Sequence, residues 1–304
     1  MTDKFVIVEQ TQPTSMPAMD ARALQFEEWA SAVHLIRPPE MADFWRDLNS
    51  IPFYIPLFKV LVWRAVSLRY TQSYFGLVWV VVQPIATTIV VFLMFGIIRA
   101  NTSDGSNPGL FLFVGIMSWQ FFARGLSEAS GSLNSHAGIL TKIYLPKIIL
   151  PFAVVLAAWF DTLIMIVLLV LACMLFGSPL SARALLLPVF LTLISLGSLS
   201  VGVGLAPINA LFRDIGVVLP IVLQFGMYVT PVLYATKFIP GSWNSIYHLN
   251  PMTTLIEGVR WTILPESPLP SLKFLAINIA TILICLVVSV FTFQKLEATV
   301  TDRI

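Results

Sequence analysis

Six stretches of this 304-residue chain, roughly 75–98, 109–130, 149–176, 184–207, 215–234 and 272–293, are apolar over 20 or more residues. About 20 such residues as helix cross the hydrocarbon core of a bilayer. In that solvent every backbone group must be paired within its own segment, so each stretch is expected to be an α-helix. The composition agrees: 57% hydrophobic and 11% charged, against about 25% charged in a soluble domain. The expected fold is an all-α polytopic membrane protein with six transmembrane helices. A net charge of +2 gives no reason to expect a nucleic-acid partner. Cys173 and Cys285 both lie inside apolar runs, with no spacing that suggests a metal site or a disulfide.

Residues 1–50 form a separate unit, expected to be a retained cytosolic extension, because the early cluster Phe5–Val8 is too short for the apolar core of a signal peptide. Within it Asp20 can cap a helix with Phe26, Trp29, Ala30, Val33 and Ile36 near one face. The transmembrane domain is assigned to 51–304. It opens with an amphipathic helix at about 56–71, placing Lys59, Trp63, Ser67 and Thr71 on one side, as expected of a helix lying on the membrane surface. With the amino terminus inside, Lys59, Arg64, Arg69, Lys142, Lys147, Arg213, Lys295 and Arg303 fall on the cytosolic side. The other side holds Arg99, Arg183, Lys237, Arg260 and Lys273. That bias puts both termini in the cytosol, for a multi-pass protein of the cytoplasmic (inner) membrane.

The segment 235–271 is long for a loop but rich in Trp243, Ile246, Tyr247, Leu255, Ile256 and Trp261. Asn250 followed by Pro251 is a helix start. A helix over 251–264 spans only about 21 Å at 1.5 Å per residue. Re-entrant short helices between spans five and six follow, and Trp243, Tyr247, Glu257, Arg260 and Trp261 are the candidate outer gate. Glu257 and Arg260, three apart, can pair on one helix.

The chemistry of an enzyme is missing. There is no G-x-x-x-x-G-K-[ST] phosphate loop, no H-E-x-x-H, and the three histidines are scattered. No cofactor or metal is expected in this chain, and a membrane-embedded transferase lacks its acidic pair. Charge inside the spans is the exception. Asp161 falls about 18 Å along the third span, where an acid serves either as a structural ion pair or as a proton-coupling group. Arg124 and Glu128, four apart in the second span, can pair with each other.

Polar and aromatic residues cluster at the first span. In the stretch RYTQSYFGLVWVVVQP (residues 69–84), Tyr74, Phe75 and Trp79 precede Gln83 and Pro84, an amide and a helix-kinking residue inside an apolar run. Trp119, Phe122, Tyr228 and Tyr234 add rings near the second and fifth spans. Such rings either anchor the protein at the interfaces or line a path on which sugar C–H faces stack.

Four segments in order resemble the permease subunits of ABC exporters for cell-surface polysaccharides, the O-antigen, capsule and teichoic-acid families. They are LRYTQSYFGLVWVVVQPI, ILTKIYLPKIILP, LFRDIGVVLPIVLQFGMYVTPVLY and LNPMTTLIEGVRWTIL. The resemblance covers about 50–300. It implies a half-transporter: a homodimer served by two copies of an ABC ATPase subunit that bind ATP and Mg, moving a lipid-linked polysaccharide through the membrane. A drug or small-lipid exporter of the same superfamily is the alternative. The resemblance also implies a cytosolic element between spans two and three that docks on the ATPase. There Ser135 is expected to cap a short helix carrying Ile139, Leu140, Lys142, Ile143 and Tyr144, stopped by Pro146.

Overall fold

The computed structural model describes residues 55–68, 76–98, 107–140 and 146–301. The amino-terminal extension, Tyr74, Phe75, Lys142, Ile143 and Tyr144 lie outside the described residues. The described residues are helical and contain no strand.

Helix α1 covers residues 55–68 and α2 Gly76–Ile98. Helix α3 covers Pro108–Ser135, and the four-residue α4, Ala137–Leu140, follows a turn at His136. Helices α5, Ile149–Leu175, α6, Leu187–Leu211, and α7, Asp214–Val229, come next. Two short helices, α8, Gly241–His248, and α9, Pro251–Ile263, precede α10, Leu272–Thr301.

Four helical stretches are long and apolar enough to cross a membrane: Pro108–Ser135, Ile149–Leu175, Ala182–Leu211 and Leu272–Glu297. The last of these is the bulk of α10, and Ala182–Leu211 is α6 with the 3-10 turn that leads into it. Shorter apolar helices occupy Val78–Met94 and Asp214–Val229. The helices begin within a few residues of the apolar runs, while the 16-residue α7 reaches only about 24 Å.

Helix α3 is the axis. It packs against α2, α5, α6, α7 and α9, and most of its apolar stretch is buried. Two apolar clusters mark the ends of the bundle. One joins Leu110–Met117 of α3 to Leu169 of α5, Leu191 of α6, Ile256 and Ile263 of α9 and Ile282 of α10. The other joins Leu61 and Val66 of α1 to Leu133, Leu150, Val203, Phe293 and Val300. Helices α3, α5 and α6 therefore run alternately between the clusters, and α1 shares an end with the last turns of α10.

Close approach of the helices rests on small residues, since hydrophobicity gives helices no reason to associate in lipid. A Cβ on Gly202 of α6 would stand 2.5 Å from the Ala129 Cβ of α3. Nearby, Asn209 Nδ2 donates to the Ser130 carbonyl at 3.1 Å, and Asn134 Nδ2 donates to the Asn209 carbonyl at 3.2 Å.

Helix α1 keeps Leu61, Val62, Ala65 and Val66 on its buried side and exposes Val60 and Trp63, so its apolar surface is divided between bundle and surroundings. The junction between α3 and α4 departs from expectation. Ser135 belongs to α3, its hydroxyl donating to the Gly131 carbonyl at 3.0 Å, so it closes α3 rather than capping α4. Leu140 is half-buried against the α1-end cluster.

Candidate functional site

Pro84 removes one backbone donor in α2, and two threonines brace the turn that follows. Thr87 Oγ1 donates to the Gln83 carbonyl at 2.8 Å and Thr88 Oγ1 to the Pro84 carbonyl at 2.7 Å. The helix continues through the proline, which leaves the Val80 carbonyl without its usual intrahelical donor. Gln83 then opens on a groove between α2, α3 and α7. Its walls are Gln83 from α2, Trp119, Gln120, Ala123, Arg124 and Ser127 from α3, and Pro220, Leu223 and Gln224 from α7. Positions 120, 124 and 127 recur at helical spacing, so a single face of α3 supplies the floor.

Behind that floor lies the charge pair of the membrane interior. Arg124 Nη1 donates to Asp161 Oδ2 of α5 at 2.5 Å. The Asp161 side chain is 6% exposed and that of Arg124 27%, because the guanidinium also borders the groove. Arg124 thus bridges two helices instead of pairing only along α3 with Glu128. Asp161 is thereby held in an ion pair between α3 and α5. A small recess beside the pair is lined by Met117, Gln120, Phe121, Thr162 and Met165 among others. Within it the buried Gln120 Oε1 accepts no hydrogen bond.

Of the ring positions, Trp119 lines the groove and sets its width. Its ring stands 2.9 Å from where a Cβ on Gly226 of α7 would be, so only glycine lets α7 come this close. Phe122 lies 5.4 Å from Trp119, ring centre to ring centre, and turns toward Gly197 of α6. Trp79 and Tyr228 are exposed. Tyr234 donates to the Val229 carbonyl at 3.1 Å, closing the end of α7. Spacing and ring content pointed to Gln83 and Trp119. Gln120, Ser127 and Gln224 escaped that reading, although an amide in an apolar span, the signal that singled out Gln83, marks Gln120 and Gln224 equally.

A second polar assembly closes the same end of α7. Asn250 caps α9, accepting from the Met252 amide at 3.0 Å with Pro251 at the first helical position. Its Nδ2 donates to Thr230 Oγ1 at 3.1 Å. Arg260, 3% exposed, donates to the Pro231 carbonyl at 2.9 Å and to the Val232 carbonyl at 2.5 Å. Its guanidinium carbon lies 3.6 Å from the centre of the Phe111 ring. Glu257 instead accepts from Thr236 Oγ1 at 2.5 Å and faces His248 Nε2 at 3.4 Å. The expected Glu257–Arg260 pair is therefore replaced by two separate sets of contacts, because α9 turns the two side chains toward different neighbours. Trp261 is half-buried beneath Arg183, Tyr247 is half-buried, and Trp243 is exposed. Among the described residues no cluster of His, Cys, Asp and Glu could hold a metal ion.

A family model described as ABC-2 type transporter matches residues 56–264. The chain belongs to the ABC-2 type transporters. Among its relatives is the O-antigen export system permease protein RfbA of Myxococcus xanthus, 27% identical over 71% of this chain and 83% of the relative. A protein of the same description from Klebsiella pneumoniae is 23% identical over 82% of this chain and 95% of its own length. The polysialic acid transport protein KpsM of Escherichia coli is 26% identical over 68% and 81%. For an ABC-2 transporter, a polar groove at span depth and a cap of short helices at one end are the two parts to be explained.

Proposed function

We propose that this chain is the membrane-spanning subunit of an ABC exporter that moves a lipid-linked cell-surface polysaccharide of the O-antigen type across the cytoplasmic membrane. Hydrolysis of ATP with Mg belongs to a separate ATPase subunit, two copies of which serve a homodimer of this chain. The observation that carries the reading is the groove. Exposed amides at Gln83 and Gln224 beside Arg124 open sideways at span depth, where contact with lipid is costly. A second copy covering this face turns two such grooves into one enclosed polar path. The exposed apolar sides of α2 and α7, Trp79, Val82, Val218, Ile221, Val222 and Phe225, supply the dry rim.

In this reading the chain crosses the membrane six times with both termini in the cytosol, and α8–α9 close the path on the outer side. The α3–α5 connection around Leu140 and Ile143 meets the ATPase. Proteoliposomes holding both subunits test the whole: ATP turnover rises with a lipid-linked glycan and not with small amphiphilic drugs. The opposite pattern makes this chain a drug exporter. Topology is checked in protein lacking Cys173 and Cys285, the latter exposed. A cysteine at Ser242 reacts from outside, and one at Thr301 only after permeabilisation. Disulfides between the two copies within 242–264 arrest export reversibly if α8–α9 are the gate. Charged residues at Leu140 and Ile143 release the ATPase from folded dimers if that connection transmits its work.

A further inference from the structure

We infer that the groove between α2, α3 and α7 is built for an uncharged, hydroxyl-rich stretch of glycan, and selects against acidic polymers. This rests on the reading of the groove as part of the export path. The described polar lining is three amides, one hydroxyl and one guanidinium: Gln83, Gln120, Gln224, Ser127 and Arg124. The single cation is already compensated by Asp161 at 2.5 Å. The described lining therefore carries no surplus positive charge. A carboxylate- or phosphate-bearing repeat would leave water here without a counter-charge, the situation that interfaces use to reject wrong partners.

The hydrogen-bonding inventory points the same way. A primary amide offers two donors and an acceptor oxygen, and a sugar hydroxyl both donates and accepts, whereas an ionised carboxylate only accepts. The exposed amides of Gln83 and Gln224 turn acceptor oxygens and N–H groups to the groove. A hydroxyl satisfies both at once; an anion would turn lone pairs on the amide oxygen. Trp119, mostly buried, adds an apolar wall to the groove. Because each copy of a homodimer brings the same set, doubling the groove leaves the balance unchanged.

The test uses the full complex with its ATPase in lipid nanodiscs and two probes of equal length, an oligomannose and an oligosialic acid. Wild-type protein is expected to bind the neutral probe at least about tenfold more tightly. Gln224→Lys, at an exposed position, is expected to raise affinity for the acidic probe about tenfold while weakening the neutral one. Gln83→Leu serves as a second, uncharged variant and should weaken the neutral probe. Equal or tighter binding of the acidic probe by wild type, still sensitive to either variant, overturns the selectivity and leaves the path in place. Binding of neither probe, or binding indifferent to both variants, removes the groove from the path, and the inference falls with it.

Discussion

Helices α7 and α9 meet at Thr230–Val232, yet they obey opposite rules. Helix α7 is the more apolar, and of its residues only Leu223 is buried. Helix α9 contains Thr253, Thr254, Glu257, Arg260 and Thr262, and nearly all of it is buried, Arg260 included. In water the assignment would be reversed. In a bilayer, apolar surface is free to face lipid or another copy, whereas polar groups must be gathered inside where partners wait. The contrast teaches how to divide this chain: α9 is held by specific bonds within one copy, and α7 is left for what lies outside it.

Several substitutions can break that division, taken here in order of their effect on the fold of a single copy. Arg260→Leu strips the charged donor from two carbonyls, costing about 4 kcal/mol if each bond contributes its usual share. Thermal melting in detergent should fall sharply, and Arg260→Lys should recover part of the loss. An unchanged melting point would mean that α9 is not held from within. Asp161→Leu leaves Arg124 facing an apolar wall and costs about 2 kcal/mol, discounted because the guanidinium still reaches the open groove. Asp161→Asn keeps a hydrogen-bonding oxygen and should assemble and export substantially. A well-assembled Asn variant that fails to export with an altered pH profile would make the acid a proton carrier.

On the α7 side, combined Val222→Ala and Phe225→Ala should move the melting of one copy by no more than about 0.5 kcal/mol, since both side chains are exposed. The same pair should weaken dimerisation about tenfold, through loss of an aromatic anchor, as read by dilution in size-exclusion chromatography. A dimer unaffected by it would place α7 against lipid. Trp243→Ala, on the exposed side of α8, should do least, leaving export within about twofold.

How far the chain could be read in advance follows from the kind of signal each feature leaves. Helix starts at Pro108, Ile149, Pro251 and Leu272 were legible because apolar run length and the Asn–Pro step are local. Partners were not. The i, i+4 rule sees Glu128 beside Arg124, while the acid that Arg124 meets stands 37 residues away on another helix. Likewise Glu257 and Arg260 share a helix, but His248, Thr236 and the Pro231 carbonyl decide where they turn. Periodicity finds a face without saying what covers it. Phe122 and Trp119 look alike in the chain, yet one turns toward α6 and the other toward α7.

The clasp at the end of α7 has a mechanical side. Three residues after its last turn are bonded to α9 through Asn250 and Arg260, while along its length α7 touches little besides α3 and a few positions of α6. It is a rod held at both tips and little between, its start turning directly out of α6 with Gly216 against Asn209. A displacement of the α6–α7 turn near Asp214 would therefore reach the Thr230–Val232 clasp along the helix itself. Pro220, midway along the rod at the groove wall, is the point at which such a strain would bend it.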